Sequence, residues 1–290
     1  MRRVGLLALA ALLLTSACER DGGGRGGAGG VIEEARTLIE QGDYDGALAR
    51  LSGGTDAESL FLLGRAWAGK AAGTTPAPDG SLGPEERQAL DFLERAVIAQ
   101  PDHAGAHLAI GNLLAPHVRS AAAAESSGGP SATTPASGVS ADRVLEAYGA
   151  AAQADPADTT SVEALIAFAI RVGRTSEAKA GFEELLRRDR ENPDLLVRFG
   201  DFLTGAGQDP EASLGVYAQA LIWRPDDTDT RLKMADVHLD AARGHIDRRE
   251  FVAAEARLRE ARKLVVDPAS PQARRLRELE NALADVSGRR

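Results

Sequence analysis

His103 and His107 stand four residues apart, a spacing that puts both imidazoles on one face of a helix, as two ligands of a metal ion would need. Gly24, Gly26 and Gly29 reproduce the G-x-G-x-x-G spacing of a dinucleotide-binding loop, and Cys18, the only cysteine, could supply a thiolate. Glu33 with Glu34, and Glu183 with Glu184, are adjacent carboxylates of the kind acid–base chemistry uses. None of these sets has the surroundings its chemistry requires. The other histidines, His117, His238 and His245, are scattered, and no H-E-x-x-H spacing occurs. His107 also falls in a slot that Leu60 and Leu196 occupy in related segments, so packing is the stronger reading. A phosphate loop joins a buried strand to a helix N-terminus, whereas Gly24 follows an apolar leader, and seven of the nine residues of GGGRGGAGG are glycine. Such a tract behaves as a flexible coil. The glutamate pairs sit among basic neighbours and read as solvated helix faces. Trp67 and Trp223 read as core. No G-x-S-x-G elbow or P-loop is present, so no catalytic residue, metal ligand, cofactor or small-molecule substrate is expected.

The elements that could position these residues begin with the leader. Arg2 and Arg3 precede an uncharged apolar run from Val4 to Leu14 and small residues up to Ala17, the pattern of an export signal over residues 1–17. The run is about half of the roughly 20 residues a membrane-crossing helix needs. Thr15-Ser16-Ala17-Cys18 resembles the lipobox of bacterial lipoproteins, which implies that Cys18 becomes the first mature residue and carries lipid on its sulfur. Thr15 departs from the usual leucine, which stands one place earlier at Leu14. Ordinary cleavage after Ala17 is the alternative. Residues 18–30 then form a tether with a reach on the order of 20 Å. The resemblance implies a lipid-anchored, periplasm-facing protein of the cell envelope, and Glu19 in place of aspartate leans toward the outer membrane. Losing Arg2 and Arg3 takes the formal charge from −9 to −11, a poor balance for binding nucleic acid. Aromatics make up only 4 % of the chain and alanine is abundant, which suits closely packed helices better than strands.

Downstream, two spacing patterns alternate. Leu60, Leu63, Gly64, Trp67 recurs as His107, Ile110, Gly111, Leu114 and as Leu196, Phe199, Gly200, Leu203: one helix face with a small residue as a notch. Ala89, Leu93, Ala96, Pro101 recurs as Val144, Tyr148, Ala151, Pro156 and as Ser213, Tyr217, Ala220, Pro225, an amphipathic helix followed by a proline. From Ala89 to Gly111, Val144 to Ile166, Ala178 to Gly200 and Ser213 to Ala235 the step is 22 residues each time. The return step is 12 from Ala35 to Ala47 and from Ile166 to Ala178, giving a 34-residue period. That is the period of a helix-turn-helix solenoid.

On these residues, and on LIEQGDYDGALARL (38–51), FLLGRAW (61–67), ERAVIAQPDHAGAHLAIGNLL (94–114) and YAQALIWRPDD (217–227), residues 31–268 resemble the tetratricopeptide-repeat (TPR) family. The resemblance implies an all-α, right-handed superhelical solenoid of about six repeats, closed by a capping helix within 269–290. Departures are a first repeat about five residues short around 52–56, Ile166 in place of the small residue, and Pro193 three residues late. Between Gly64 and Ala89 lie 13 extra residues, and between Gly111 and Val144 lie 21. These insertions, about 70–84 and 119–141, are Ser-, Thr-, Pro- and Gly-rich and are expected to be disordered loops on one edge; a partner-binding or modified loop is the alternative. The stretch Arg243 to Arg248 lengthens a helix.

The family lines a groove with the first helix of each repeat. Carried over, the inward positions are Arg36, Arg65, Asn112, Ala167, Asp201 and Asp236, with Phe61, Leu108, Val197 and Leu232 one turn away, a polarity running from basic to acidic. The alternative is that these are ordinary exposed helix residues. The implied work is binding a protein or peptide, as a scaffold or assembly factor. A pilotin-like or outer-membrane-protein assembly lipoprotein, an accessory subunit of a cell-wall enzyme and a structural spacer are the rivals.

Overall fold

In the computed structural model, the second helix of repeats two, three and five carries a large side chain that fills a notch in the first. A methyl group on Gly64 would lie 2.6 Å from Leu93 Cγ, and one on Gly111 would lie 2.5 Å from the Tyr148 ring. The glycines therefore let two helix backbones approach to the thickness of one side chain. The structure describes residues 28–72, 81–118 and 139–288. Cys18, the expected signal, most of the tether and the middle of both insertions lie outside them.

Thirteen α-helices and one short 3-10 helix, Ala115–His117, occur among the described residues, with no strand. They pair as first and second helices: α1 Ala28–Glu40 with α2 Tyr44–Arg50, α3 Ala57–Ala71 with α4 Pro84–Ala99, and α5 Ala104–Leu114 with α6 Ala141–Ala154. Then come α7 Thr160–Arg171 with α8 Thr175–Arg188, α9 Pro193–Thr204 with α10 Pro210–Trp223, and α11 Thr228–Asp247 with α12 Phe251–Leu264, before the last helix α13 Pro271–Ser287. Helices pack on their chain neighbours and, as α1 on α3 and α11 on α13, on the next first helix. This is the six-repeat TPR-type solenoid expected. No helix among the described residues is long and apolar enough to cross a membrane.

Departures from the repeat pattern have local causes. α1 starts at Ala28, so it takes in the last residues of the expected tether; Val31 and Ile32 pack on the first core cluster and hold the turn above them. The short first repeat leaves α2 only seven residues. Pro193 is the first residue of α9, where its missing N–H costs nothing, and Asn192 caps Leu195 N–H at 3.0 Å. Lys70 and Ala71 belong to α3, and Gly83 and Pro84 open α4, so the first insertion is shorter than 70–84. Val139 is buried, which shortens the second. In repeat four the packing is inverted: Ile166 is the knob and Gly181 of α8 the notch, where a methyl would meet Ile166 Cγ1 at 2.5 Å. α11 runs on to Asp247, through the stretch expected to lengthen it.

Two expectations fail. Trp223 is 47 % exposed, because it lies three residues past Ala220, the last buried residue of α10, in the helix's final turn. His107 does not share the burial of Leu60 and Leu196; its Nε2 reaches the Pro101 carbonyl at 2.8 Å, a partner that an imidazole needs and a leucine does not.

α13 closes the array. Aligning its Pro271 with Pro193 of α9 places Arg274, Arg277, Glu278 and Asn281, all exposed, where α9 buries Leu196, Phe199, Gly200 and Leu203. Its opposite face buries Ala273, Leu276 and Leu283, the last two in a cluster with α11 and α12. The outer side has no seat for a second helix, which is the arrangement of a terminal cap.

Carboxylates hold many of the turns. The Ser59 hydroxyl keeps the Asp56 carboxyl below its usual range, and hydroxyl bonds from Thr160 and Thr230 do the same for Asp158 and Asp227. A carboxyl depressed on folding lends stability that is present above about pH 4 and is lost as pH falls through its folded value. The chain carrying Asp56→Asn, Asp158→Asn and Asp227→Asn is expected to lose helicity less steeply than wild type between pH 4 and 2, because the amide oxygen still caps. Circular dichroism at 222 nm reads this, and identical slopes would assign acid unfolding to other groups.

Candidate functional site

The face carried by the first helices is built by residues one period apart. Arg36 Nη2 on α1 meets Glu58 Oε1 on α3 at 2.8 Å, and Glu58 Oε2 lies 3.3 Å from His103 Nε2 at the head of α5. Further along, Glu163 on α7 pairs with Arg198 on α9 at 3.3 Å. Asp201 on α9 takes the Lys233 ammonium of α11 at 2.5 and 2.7 Å. Asp236 on α11 accepts from Gln272 at 2.9 Å and faces Arg275 of α13 at 3.5 Å; Arg275 also pairs with Asp240. Exposed pairs of this kind add little stability singly. Their effect is register: each ties one first helix to the next.

These pairings change the expected charge gradient. Arg36, Asp201 and Asp236 lie on this face, and each is engaged by an opposite charge on the following helix, so the run from basic to acidic is cancelled internally. Glu58, Glu163, Arg198, Lys233 and Arg275 were missed by the family's inward positions. Their signal was in the sequence: Asp201 to Lys233, Glu163 to Arg198 and Asp240 to Arg275 are opposite charges 32, 35 and 35 residues apart, close to one repeat.

The middle of the face is different. No side-chain ion pair joins α5 to α7 among the described residues, and Arg65 has no carboxylate within ion-pair distance there. Its guanidinium sits 5.7 Å from the Phe61 ring centre. Phe61 is half-buried, with Cζ packed over Gly105 of α5, and it bridges three core clusters. Leu108 packs half-buried against the same core. Asn112 is exposed, and its Oδ1 accepts the Tyr148 hydroxyl at 3.0 Å. Burial raises the Tyr148 hydroxyl above the usual phenol range, so it stays a donor. The Asn112 amide is thereby oriented, and its Nδ2 donors have no protein partner among the described residues. Ala167, the equivalent on α7, is exposed.

The same geometry recurs in repeat five with a different outcome. Tyr217, also held protonated by burial, donates to Asp201 at 2.8 Å, but Lys233 occupies what remains of that carboxylate. Val197 borders an open cleft of about 600 Å3 with Asp194, Arg224, Asp226, Asp227, Asp229 and Lys233. There Asp194 is held by both Nη atoms of Arg224, at 2.8 and 3.1 Å. Leu232 is half-buried beside Lys233. The structure thus groups Phe61, Arg65, Leu108 and Asn112 as one open stretch and places Val197, Asp201 and Leu232 in a second, ion-paired one. Arg36 and Asp236 stand at the two ends. Among the described residues no three His, Cys, Asp or Glu side chains converge as metal ligands.

No family model matches the chain, and no curated protein does. Among solved structures, PilF of Pseudomonas aeruginosa is similar at 14 % identity and a TM-score of 0.44, over 86 % of this chain and 96 % of that one. MamA from Desulfovibrio magneticus RS-1, from residue 41 onward, is similar at 14 % identity and 0.43, over 69 % and 97 %. TTC0263, a TPR protein of Thermus thermophilus, is similar at 16 % identity and 0.39, over 73 % and 98 %. At such scores these likenesses bear on neither partner nor process; the solenoid stands on its own packing.

Proposed function

We propose that this TPR-type solenoid is a lipid-anchored scaffold or assembly factor of the cell envelope that binds a segment of another protein along its first-helix face. The observation that carries the reading is the open stretch formed by Phe61, Arg65, Leu108 and Asn112. There, among the described residues, a guanidinium free of ion pairs and an amide with unused donors stand beside half-buried apolar side chains, while the charges at both ends of the face are paired. Its free polar groups are donors, so it suits a segment that presents oxygen acceptors next to an apolar side chain. Binding there breaks no existing ion pair. No bond chemistry is needed, and the partner is selected by shape and hydrogen bonding. The anchor rests on Cys18 at the end of the apolar leader, with the glycine tract as a tether that keeps the solenoid near the membrane. A periplasm-facing position, at the outer rather than the inner membrane, completes the proposal.

One experiment addresses both parts. Cells expressing wild type, Arg65→Glu with Asn112→Asp, Cys18→Ala, or the control Arg190→Glu are cross-linked and their envelopes fractionated. Wild type and the control should sit in the membrane fraction and capture the same partners. Arg65→Glu with Asn112→Asp should stay in the membrane but lose its principal partner by tenfold or more. Cys18→Ala should leave the membrane fraction. An unchanged partner profile in the double variant removes the binding face, and membrane retention of Cys18→Ala removes the anchor.

A further inference from the structure

We propose that His103 is a proton-operated helix cap, which releases the first turn of α5 and loosens its junction with α3 when the surroundings acidify. The other side-chain caps that bond the first turn of a helix among the described residues use the oxygens of Asp43, Asp56, Ser140, Asp158, Asn192, Asp209, Asp227 and Ser270. α5 alone uses a ring nitrogen: His103 Nδ1 accepts from Ala106 N–H at 3.1 Å. Only an unprotonated nitrogen can accept. The proton of the neutral ring must therefore sit on Nε2, where it is donated to Glu58 Oε2 at 3.3 Å.

Protonating the ring places an N–H at Nδ1 facing the N–H of Ala106, two donors against each other, and adds a positive charge to the positive end of a helix dipole. The ring has little freedom to escape. Its side chain is 11 % exposed and lies against Phe61, with ring centres 4.8 Å apart. What it can do is turn toward Glu58, whose other oxygen holds Arg36 at 2.8 Å. The charged groups facing His103 are thus Glu58 from α3 and, through it, Arg36 from α1. On its own side are Asp102 in the turn and His107, the latter committed to the Pro101 carbonyl. Arg65 lies beyond the Phe61 ring. Glu58 then holds an imidazolium at Oε2 beside the Arg36 guanidinium at Oε1, so one proton changes the charge on a contact set that spans three successive repeats. A carboxylate oxygen that takes up a proton still keeps a lone pair for the amide, as a hydroxyl oxygen does, whereas a protonated ring nitrogen keeps none, so α5 carries the cap that a proton removes outright.

The device can be read on the partner-free full chain, so it stands or falls apart from the binding reading. Ring nitrogen spectra of the wild-type protein at pH 8 should show His103 as the Nε2–H tautomer. Between pH 8 and 5.5 the Ala106 amide resonance should shift together with the His103 ring in wild type, and hold still in His103→Asn, whose oxygen caps at either pH. The melting temperature of His103→Asn relative to wild type should rise by about 2–4 °C over that range, the amount a lost cap represents in a chain of this size. An Nδ1–H tautomer at pH 8, or an Ala106 resonance and a melting gap that do not change with pH, would overturn the proposal.

Discussion

Phe182→Ala is expected to lower the stability of the fourth and fifth repeats by about 3–5 kcal/mol, the usual cost of deleting a buried aromatic ring. Phe182 is buried on α8, with ring centres 5.2 Å from Phe199 and 5.3 Å from Phe202 of α9. The three rings anchor a cluster that also takes in Val162, Ile166 and Leu185. Among the described residues the strongly packed helix pairs are all near neighbours in the chain, so this joint carries the coupling between the two sides. Stability in such an array is a sum of repeat and interface terms, so weakening one interface divides the array. The chain carries its own reporters: its two tryptophans, Trp67 in repeat two and Trp223 in repeat five, lie on either side. With Trp67→Phe or Trp223→Phe as background, urea unfolding followed by fluorescence should give coincident transitions in the parent. Two separated transitions are expected once Phe182 is alanine. Transitions that stay together would mean the solenoid unfolds as one block.

Exchanging the inverted pair of repeat four should show strong coupling. Ile166→Gly opens a cavity and puts a glycine in a helix, for about 3–5 kcal/mol. Gly181→Leu overpacks against Ile166, for about 1–3 kcal/mol. Together they put glycine on the first helix and a second large side chain, beside Phe182, on the second, the assignment of notch and knob to helices that repeats two, three and five use. The double variant should therefore be more stable than Ile166→Gly alone, with a favourable coupling of about 1–2 kcal/mol. Thermal or urea denaturation of the four proteins closes the cycle. Additive losses would show that the two helices cannot exchange knob and notch at this point.

Much of the fold was readable because a solenoid writes its packing as a period. Equal 22-residue steps between the small residue of one helix and the buried residue of the preceding one reflect a constant distance between packed helices. Together with the 12-residue return steps they gave the 34-residue period, and the family resemblance gave about six repeats before any coordinates. What the period could not show was compensation. Ile166 looked like a defect because Gly181, its counterpart, lies on the other helix, where no small residue is required by the pattern. Trp223 was misjudged because aromatic character suggests burial, while its position, three residues beyond Ala220, decides exposure. The candidate face was legible by position and less so by charge. The partners of Arg36, Asp201 and Asp236 come from the following repeat, so reading each repeat alone misses the cancellation. His103 escaped notice as a cap because it was weighed as a metal ligand.

The polar outer side of α13 has a consequence for assembly. A repeat array whose last helix kept an apolar seat would present one end shaped to receive the start of another copy. That head-to-tail contact does not close on itself, and such contacts grow into open filaments. Arg274, Arg277, Glu278 and Asn281 fill the seat with side chains that would have to be stripped of water without gaining partners. The hydrated outer side of α13 therefore offers no seat to the start of a second copy.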